Sequence, residues 1–292
     1  MFKLAFASCA RIQDLPLQPA WDEIRAERPD ALLLLGDNVY LNEDRHDSAA
    51  ALAAELRERY HRQLAEPGFA ALLADLHRRG KAVMAIYDDH DFLGDDRCGA
   101  DHDGALREAA RAELRHAFDL ATTGADVYRR QCFGLVDVIV LDTRFYRRAP
   151  LPVDPDPDAV LGAAQWQWFE QQLQASTAPF LAVASSITLH HFAGESWELY
   201  PGAFRRLRGL LQPRRGALLL SGDVHRNAVY DDSGVIEIVS SAVARRGQVF
   251  GALRKNYGLL SFDEQGVRVE LRSLKVGGRL DFRIGLDDWR LP

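Results

Sequence analysis

Ala31-Leu32-Leu33-Leu34-Leu35-Gly36-Asp37 and Ala217-Leu218-Leu219-Leu220-Ser221-Gly222-Asp223 are nearly the same string, set far apart in a chain of 292 residues. Each is an uncharged apolar run of strand length closed by Gly-Asp, which predicts a strand buried on both faces. A carboxylate just past such a strand lies at the carboxyl edge of the sheet, where open α/β folds place their ligands. Similar runs occur at Phe2–Ala7, Ala82–Ile86, Leu135–Leu141, Phe180–Ala184 and Val235–Val239.

Helical patterns lie between these runs. Pro19 and Trp21 open one with Ile24 on its apolar face, and Ser48 caps an alanine-rich one that Pro67-Gly68 stops. Others cover Ala105–Leu120 and Leu161–Leu173, and a fifth comes after Pro201-Gly202. Beyond residue 256, Val267–Arg272 and Leu280–Ile284 alternate apolar and polar residues and meet near Gly277-Gly278, the pattern of closing β-hairpins. Pro150–Asp158 is a Pro/Asp loop, a surface excursion or a lid. The expected architecture is a single α/β domain over residues 1–292, its strands covered on both faces.

Composition narrows the function. An apolar share of 47% with 27% charged residues is that of a globular enzyme with a large core. Lys plus Arg number 36 against 42 Asp plus Glu, a formal charge of −6, the opposite of the electrostatic footprint for a nucleic-acid partner. An anionic substrate must then be met locally, by metal ions or a few placed arginines. No run approaches the roughly 18 apolar residues of a membrane span. Phe6-Ala7-Ser8-Cys9 has the look of a lipoprotein cleavage box, but only five residues precede it, so it reads as strand and the chain as cytoplasmic. Cys9, Cys98 and Cys132 are too widely spaced for a disulfide framework or a CxxC metal clip.

Four predicted strand ends concentrate ligating side chains: Ser8-Cys9, Gly36–Tyr40, Asp88–Asp91 and Gly222–His225. Carboxylates brought that close stay ionised only when cations neutralise them, so bound metal is expected. Carboxylate oxygens suit calcium, magnesium or manganese, whereas a thiolate or phenolate needs a more acidic ion. With an ordinary pKa of about 10, Tyr40 as a ligand favours ferric iron, and Cys9 as thiolate fits the same ion. Blander readings stand beside these. Asp37 could close a turn and Cys9 could be a small buried hydrophobe. His90 could act as general acid or merely orient a carboxylate. Arg144 could grip phosphoryl oxygens or pair with Asp142. His190-His191 could line the pocket or lie in an ordinary loop. Gln165, Trp166 and Trp168 read as packing, and Arg205-Arg206 and Arg245-Arg246 as solvated charge.

In order along the chain, Ser8-Cys9, Gly36–Tyr40, Tyr87–Asp91, Leu141–Arg144, Leu161–Phe169 and Gly222–His225 resemble the Ser-Cys, GDxxY, WDDH-E/D, LDxR, LGxxQxxWL and GDxH motifs of the PhoD-like (alkaline phosphatase D) family of calcineurin-like metallophosphoesterases. The resemblance covers most of the chain. It implies a four-layer α/β/β/α sandwich and a phosphoric ester hydrolase of alkaline phosphatase or phosphodiesterase type, holding ferric iron and calcium, or a related set with manganese, magnesium or zinc. By position, Asp37 bridges the metals, Cys9 and Tyr40 hold the iron, and Asp89, Asp223 and His225 complete the set, with Asp88 competing for the place of Asp89. Three departures are Tyr87 for tryptophan, Asp95 where an asparagine ligand often stands, and Phe169 for leucine; Asp95 as a ligand adds charge. The amino-terminal β-domain and export signal of secreted relatives are expected to be lacking.

The expected activity is hydrolysis of small phosphate monoesters or diesters by metal-activated hydroxide, assisted by His90 and Arg144. Two alternatives are a phosphate-ligand sensor or metal-binding protein that has lost turnover, and a hydrolase with Cys9 as nucleophile.

Overall fold

The structure is a computed structural model that describes residues 1–42, 46–120, 126–190, 195–246, 253–273 and 279–292. Its first half alternates β1 (Phe2–Ala7), α1 (Ala20–Ala26), β2 (Ala31–Leu35), α2 (Ala49–Leu64), α3 (Pro67–Arg78), β3 (Ala82–Ile86) and α4 (Gly104–Ala117). Next come β4 (Arg129–Cys132), β5 (Val136–Val140), α5 (Gly162–Ala175), β6 (Phe180–Ala184), α6 (Pro201–Leu211), β7 (Ala217–Ser221), β8 (Asn227–Asp232) and β9 (Val235–Ser240). A short ribbon of β10 (Arg245–Arg246) and β11 (Leu253–Arg254) precedes β12 (Tyr257–Asp263), β13 (Gly266–Arg272) and β14 (Leu280–Gly285).

Two six-stranded sheets result, ordered β14-β13-β12-β1-β2-β3 and β4-β5-β6-β7-β9-β8. Strands β1, β2 and β3 are mutually parallel, as are β5, β6, β7 and β9, so each set carries its carboxyl ends to one edge. Period-two alternation then sorts the side chains into layers. Leu33, Leu35, Met84 and Ile86 of the first sheet meet Val138, Val140, Ala182, Leu218 and Leu220 of the second. Opposite faces of the same strands pack outward. Leu32 and Leu34 join Trp21, Leu52, Leu56, Phe69 and Leu114 of helices α1 to α4. Ile139, Leu181, Val183 and Leu219 join Trp166, Phe169 and Leu207 of α5 and α6. This is the four-layer sandwich the motifs imply, and the buried strands are largely apolar because both their faces are covered; polar exceptions such as Asp137, Ser221 and Glu237 are held by hydrogen bonds.

The expected closing hairpins form as an antiparallel meander, with β12 pairing both β1 and β13, and β13 pairing β14. The joint near Gly277-Gly278 lies outside the described residues. Within the two large sheets, two strands carried no apolar signal: β4 (RRQC) and β8 (NAVYDD) are edge strands, β8 half-buried along most of its length, where alternation weakens. The Pro/Asp loop is an anchored excursion: the buried Asp154 carboxylate takes Arg148 Nη1 and Nη2 at 2.6 and 2.7 Å, and its carbonyl accepts from Gly202 N–H at 2.9 Å.

Pro67-Gly68 does more than stop a helix. Ser48 caps α2 through a 3.2 Å bond from Ala51 N–H, and the helix ends at Leu64. Pro67 then opens α3 at its first turn, where its missing N–H costs nothing. The cap is Glu66, whose buried carboxylate accepts from Phe69 N–H at 2.7 Å and from Gln18 N–H, at the entrance to α1, at 2.9 Å. Glu66→Ala leaves two buried donors without partners and is expected to cost about 2–4 kcal/mol, read as a lower urea midpoint at unchanged m-value. A loss below about half a kcal/mol would show that water replaces the carboxylate.

Candidate metal centre

The parallel strands of both sheets deliver their last residues to one place. Ser8-Cys9 lies just past β1, Gly36-Asp37 past β2, Asp88-Asp89 two residues after β3, Thr143-Arg144 beyond β5, Ser186 beyond β6, Gly222-Asp223 past β7 and Ser241 past β9. The Gly of each Gly-Asp echo is set by close approach. A Cβ on Gly36 would lie 2.5 Å from Asp88 Cβ, and one on Gly222 would lie 2.7 Å from Ser8 Oγ and 3.1 Å from the Leu35 carbonyl oxygen. The second contact is the seam between the sheets. Beyond these glycines the chain turns sharply: Cys9, Asp37, Asp223 and His225 all have left-handed backbones, with φ of 59°, 50°, 62° and 53°. Such strain in non-glycine residues persists where surrounding structure enforces it, and it gathers at functional sites.

Asp91 supplies much of that enforcement. Fully buried, its carboxylate accepts from the N–H groups of Asp37 (3.1 Å), Asn38 (2.8 Å) and Asp88 (2.7 Å), from Asn38 Nδ2 (2.6 Å) and from Tyr60 Oη (3.2 Å). The turns after β2 and β3 are thus tied to one carboxylate. Ser241 does related work on the other sheet: its hydroxyl lies 3.1 Å from Cys9 Sγ and accepts from His225 N–H at 3.0 Å.

Within this frame Asp37 is central. Its Oδ2 receives Tyr40 Oη at 2.7 Å and Cys9 Sγ at 3.4 Å, and its Oδ1 receives His90 N–H at 3.3 Å. Donor atoms of Cys9, Asp37 and His225 lie within 4.8 Å of one another, and the same holds for Asp37, Asp89 and His90, for Asp88, Asp89 and Asp223, and for Asp89, Asp95 and Asp96. Shared membership of Asp37 and Asp89 makes these groups one continuous cluster.

Burial pushes the carboxyls of Asp37 and Asp223 well above the usual range, with neighbouring negative groups adding to it. It also raises Asp88 to about 7 against the pull of Arg144. The Cys9 thiol and Tyr40 phenol are raised by burial too. On Asp89 burial acts in the same sense, yet Arg144, the His90 imidazole and the Asp96 N–H outweigh it and hold the carboxyl below its usual range. Burial thus works against the ionised forms of most of the cluster. Asp88 Oδ2 and Asp89 Oδ1 are buried without a hydrogen-bond partner among the described residues, a costly state that a cation at the cluster would relieve. The residues fit a metal centre.

The sequence-predicted residues come together with differing exposure. Cys9, Asp37, Tyr40, Asp88 and Asp89 form the buried floor, with the partly exposed Asp223 beside Asp88 and Asp89 and His225 beside Cys9 and Asp37. His90 stacks on Tyr40 at 4.4 Å between ring centroids, and Asp95, 68% exposed at its side chain, sits at the rim 3.5 Å from His90 Nε2. Arg144 does not pair with Asp142. Its Nε donates to Asp88 Oδ1 at 2.5 Å and its guanidinium also meets Glu195, while Asp142 accepts from the N–H groups of Arg144 and Phe145, each at 3.0 Å, and from Tyr87 Oη at 2.5 Å. The unusual Tyr87 is thereby a brace for the turn after β5, packed against Phe92 at 4.7 Å.

Other readings need correction. Arg245 is not solvated: it lies under 10% exposed, its guanidinium 4.6 Å above the Tyr40 ring, with Nε donating to His225 Nε2 at 3.2 Å. Arg206 is held by Glu170 and Asp158 and covers Trp166 at 4.7 Å. Gln165 brackets the backbone of Asp142, accepting from its N–H at 2.8 Å and donating to its carbonyl at 2.9 Å, whereas Trp166 is packing as expected. His190 pairs with Glu198 and Asp232, and His191 and the side chain of Arg246 lie outside the described residues.

A model of the PhoD-like phosphatase family matches residues 4–258. The chain belongs to the PhoD-like phosphatase family. Among solved structures, one described as the structure of PhoD superposes with a TM-score of 0.73 at 19% identity, covering 99% of this chain and 71% of that one. GAP50, described as the anchor in the inner membrane complex of Plasmodium, superposes with a TM-score of 0.54 at 13% identity, covering 97% of this chain and 90% of its own. Both are likenesses of fold. Comparison with curated proteins found no match. In this PhoD-like phosphatase the residues most exposed to error from sequence alone are those, like Asp91, that hold others in place. Asp91→Ala should cost about 3–5 kcal/mol by stranding buried N–H groups, and Tyr60→Phe about 1 kcal/mol. Urea unfolding of the two variants checks the ranking, and equal losses would place the brace elsewhere.

Proposed function

We propose that this PhoD-like phosphatase hydrolyses small phosphate monoesters or diesters at cations held by Cys9, Asp37, Tyr40, Asp88, Asp89, Asp223 and His225, with Asp95 at the rim. The observation that carries the reading is the meeting of a thiol, a phenol and a shared carboxylate at Asp37, beside carboxylate oxygens of Asp88 and Asp89 that accept no hydrogen bond among the described residues. Cys9 and Tyr40 suit ferric iron and the carboxylates suit calcium, with manganese, magnesium or zinc as alternatives. Bound there, such cations supply Lewis acidity toward a phosphoryl oxygen and acidify a water.

The chain's own residues supply the rest. Asp37 fixes spacing because both its oxygens are held, by Tyr40 and Cys9 on one side and by the His90 N–H on the other. His90 is a partly exposed imidazole of the cluster, steadied by Tyr40 and Asp95, and we assign it the proton given to the departing alkoxide. Arg144 holds Asp88 and offers charge to phosphoryl oxygens. Burial raises the Cys9 thiol, which weighs against a nucleophilic role because the thiolate is the attacking form. We read residues 1–292 as a single domain, since one core layer draws on both sheets. The unpaired, exposed Cys132 supports a reducing, cytoplasmic setting. The acidic net charge supports small esters over nucleic acid as partners; among the described residues no helix is long and apolar enough to cross a membrane.

Elemental analysis beside turnover of paired aryl mono- and diesters tests the proposal. Asp37→Asn should lose metal and several kcal/mol of barrier lowering, about what removal of a major electrostatic contributor costs. Asp75→Asn, which only loosens a surface pair with Arg78 and Arg79, should keep both. Retained metal and near-normal rate in Asp37→Asn would put the site elsewhere. If ferric iron is bound, the protein should be coloured and Tyr40→Phe should shift or abolish the band; a colourless, iron-free, fully active protein would reject iron alone.

A further inference from the structure

Beside the cluster lies a second group of charges, most of which the proposed reaction does not use. Arg144 and Arg147 have fully buried side chains and converge on one carboxylate: Glu195 Oε2 meets Arg144 Nη2 and Oε1 meets Arg147 Nη2. Arg147 has little else. Its Nε and Nη1 are buried and make no hydrogen bond among the described residues, a costly state for a guanidinium. Arg144 faces the other way as well, holding Asp88 and standing 3.8 Å from Asp89 Oδ1. The Glu195 carboxylate therefore lies against the candidate metal centre on one side and the under-satisfied Arg147 on the other.

Two guanidinium groups at the two oxygens of one carboxylate, Arg147 by a hydrogen bond and Arg144 by an ion pair alone, approach the pattern that recognises phosphate. Of the three side chains, Glu195 alone retains solvent access, 11% against 0% for each arginine. It precedes the 3-10 turn at Trp197–Leu199 and belongs to no helix or strand, so it is the member that can leave while β5 and its turn stay fixed.

We infer that Arg144 and Arg147 form an oxyanion site for the phosphoryl group, which the Glu195 carboxylate fills as an internal competitor until phosphate displaces it. The exchange replaces one anion by another, so the buried arginines are never left without a counter-charge. It also favours monoesters. A monoester has three non-bridging oxygens, two for the arginines and one for the cluster, whereas a diester's two would both be taken. The identity of the oxyanion rests on the phosphoesterase reading, while its binding can be measured without turnover.

Titration calorimetry with inorganic phosphate, on the metal-loaded protein, tests this. Glu195→Gln keeps the shape of the competitor but removes its charge, so phosphate should bind about tenfold tighter or more, the scale of a charge-assisted hydrogen bond. The variant should melt earlier than wild type and recover more on adding phosphate. Adding Arg147→Met to it should remove both gains. Unchanged or weaker phosphate binding in Glu195→Gln overturns the site, as does a gain that survives Arg147→Met. If Glu195→Gln fails to fold, Arg147→Met alone carries the test: it must weaken phosphate binding about tenfold, and unchanged binding overturns the site. Aryl phosphate turnover, measured in parallel, separates the two ideas. A protein that binds phosphate through Arg147 without turnover fails only the phosphoesterase reading.

Discussion

The Asp91 carboxylate is the constraint on which the rest of the site depends. Strands β2 and β3 end side by side, and each must turn away without extending the sheet. The N–H groups freed at those turns, from Asp37, Asn38 and Asp88, all point to Asp91. One buried anion thus replaces the ladder that the sheet gives up at its edge. Burial raises its pKa to about 6 even against those donors, so the brace is strongest where it is ionised and fully hydrogen-bonded. Because Asp37 is gripped through its backbone, its side chain is free to face Cys9, Tyr40 and His90.

Around that brace the protein holds an arrangement it cannot satisfy by itself. Left-handed turns at Cys9, Asp37, Asp223 and His225 aim four polar side chains inward, and burial drives most of the acids there toward neutrality. Arginine answers only in part: Arg144 reaches Asp88 and Asp89, and Arg245 reaches His225 and the face of Tyr40. Tight packing on three sides, from helices on each outer face and the inter-sheet core below, keeps the chain from relaxing the conflict.

Local rules made part of this legible in the sequence. Strings such as 31–37 and 217–223 announce themselves because a strand covered on both faces is mostly apolar, and the residues just past such a strand fall at the sheet edge. Cys9, Asp37, Asp89 and Asp223 could be named for that reason. Asp91 could not be told from its neighbours, since nothing in Asp88-Asp89-His90-Asp91 distinguishes a ligand from a brace. Arg245 passed as surface charge because Tyr40 and His225 become its neighbours only when the sheets close. Arg147 and Glu195 carried no signal at all, their pairing being purely tertiary. The edge strands β4 and β8 were missed because half-exposed edges need no apolar run.

The seam at which Gly222 meets Ser8 bears on how the protein is made. Residues from the first sheet leave the ribosome long before Gly222, and at about 5–20 residues per second the delay is on the order of tens of seconds. During that delay β1 lacks β12, its neighbour on one side, and presents an open apolar edge to solvent or to a chaperone. Cys9 and Asp37 likewise wait for Asp223, His225 and Ser241 before the cluster is complete. The site is thereby assembled only when synthesis is nearly finished, and a nascent chain halted before residue 257 would keep the β1 edge open.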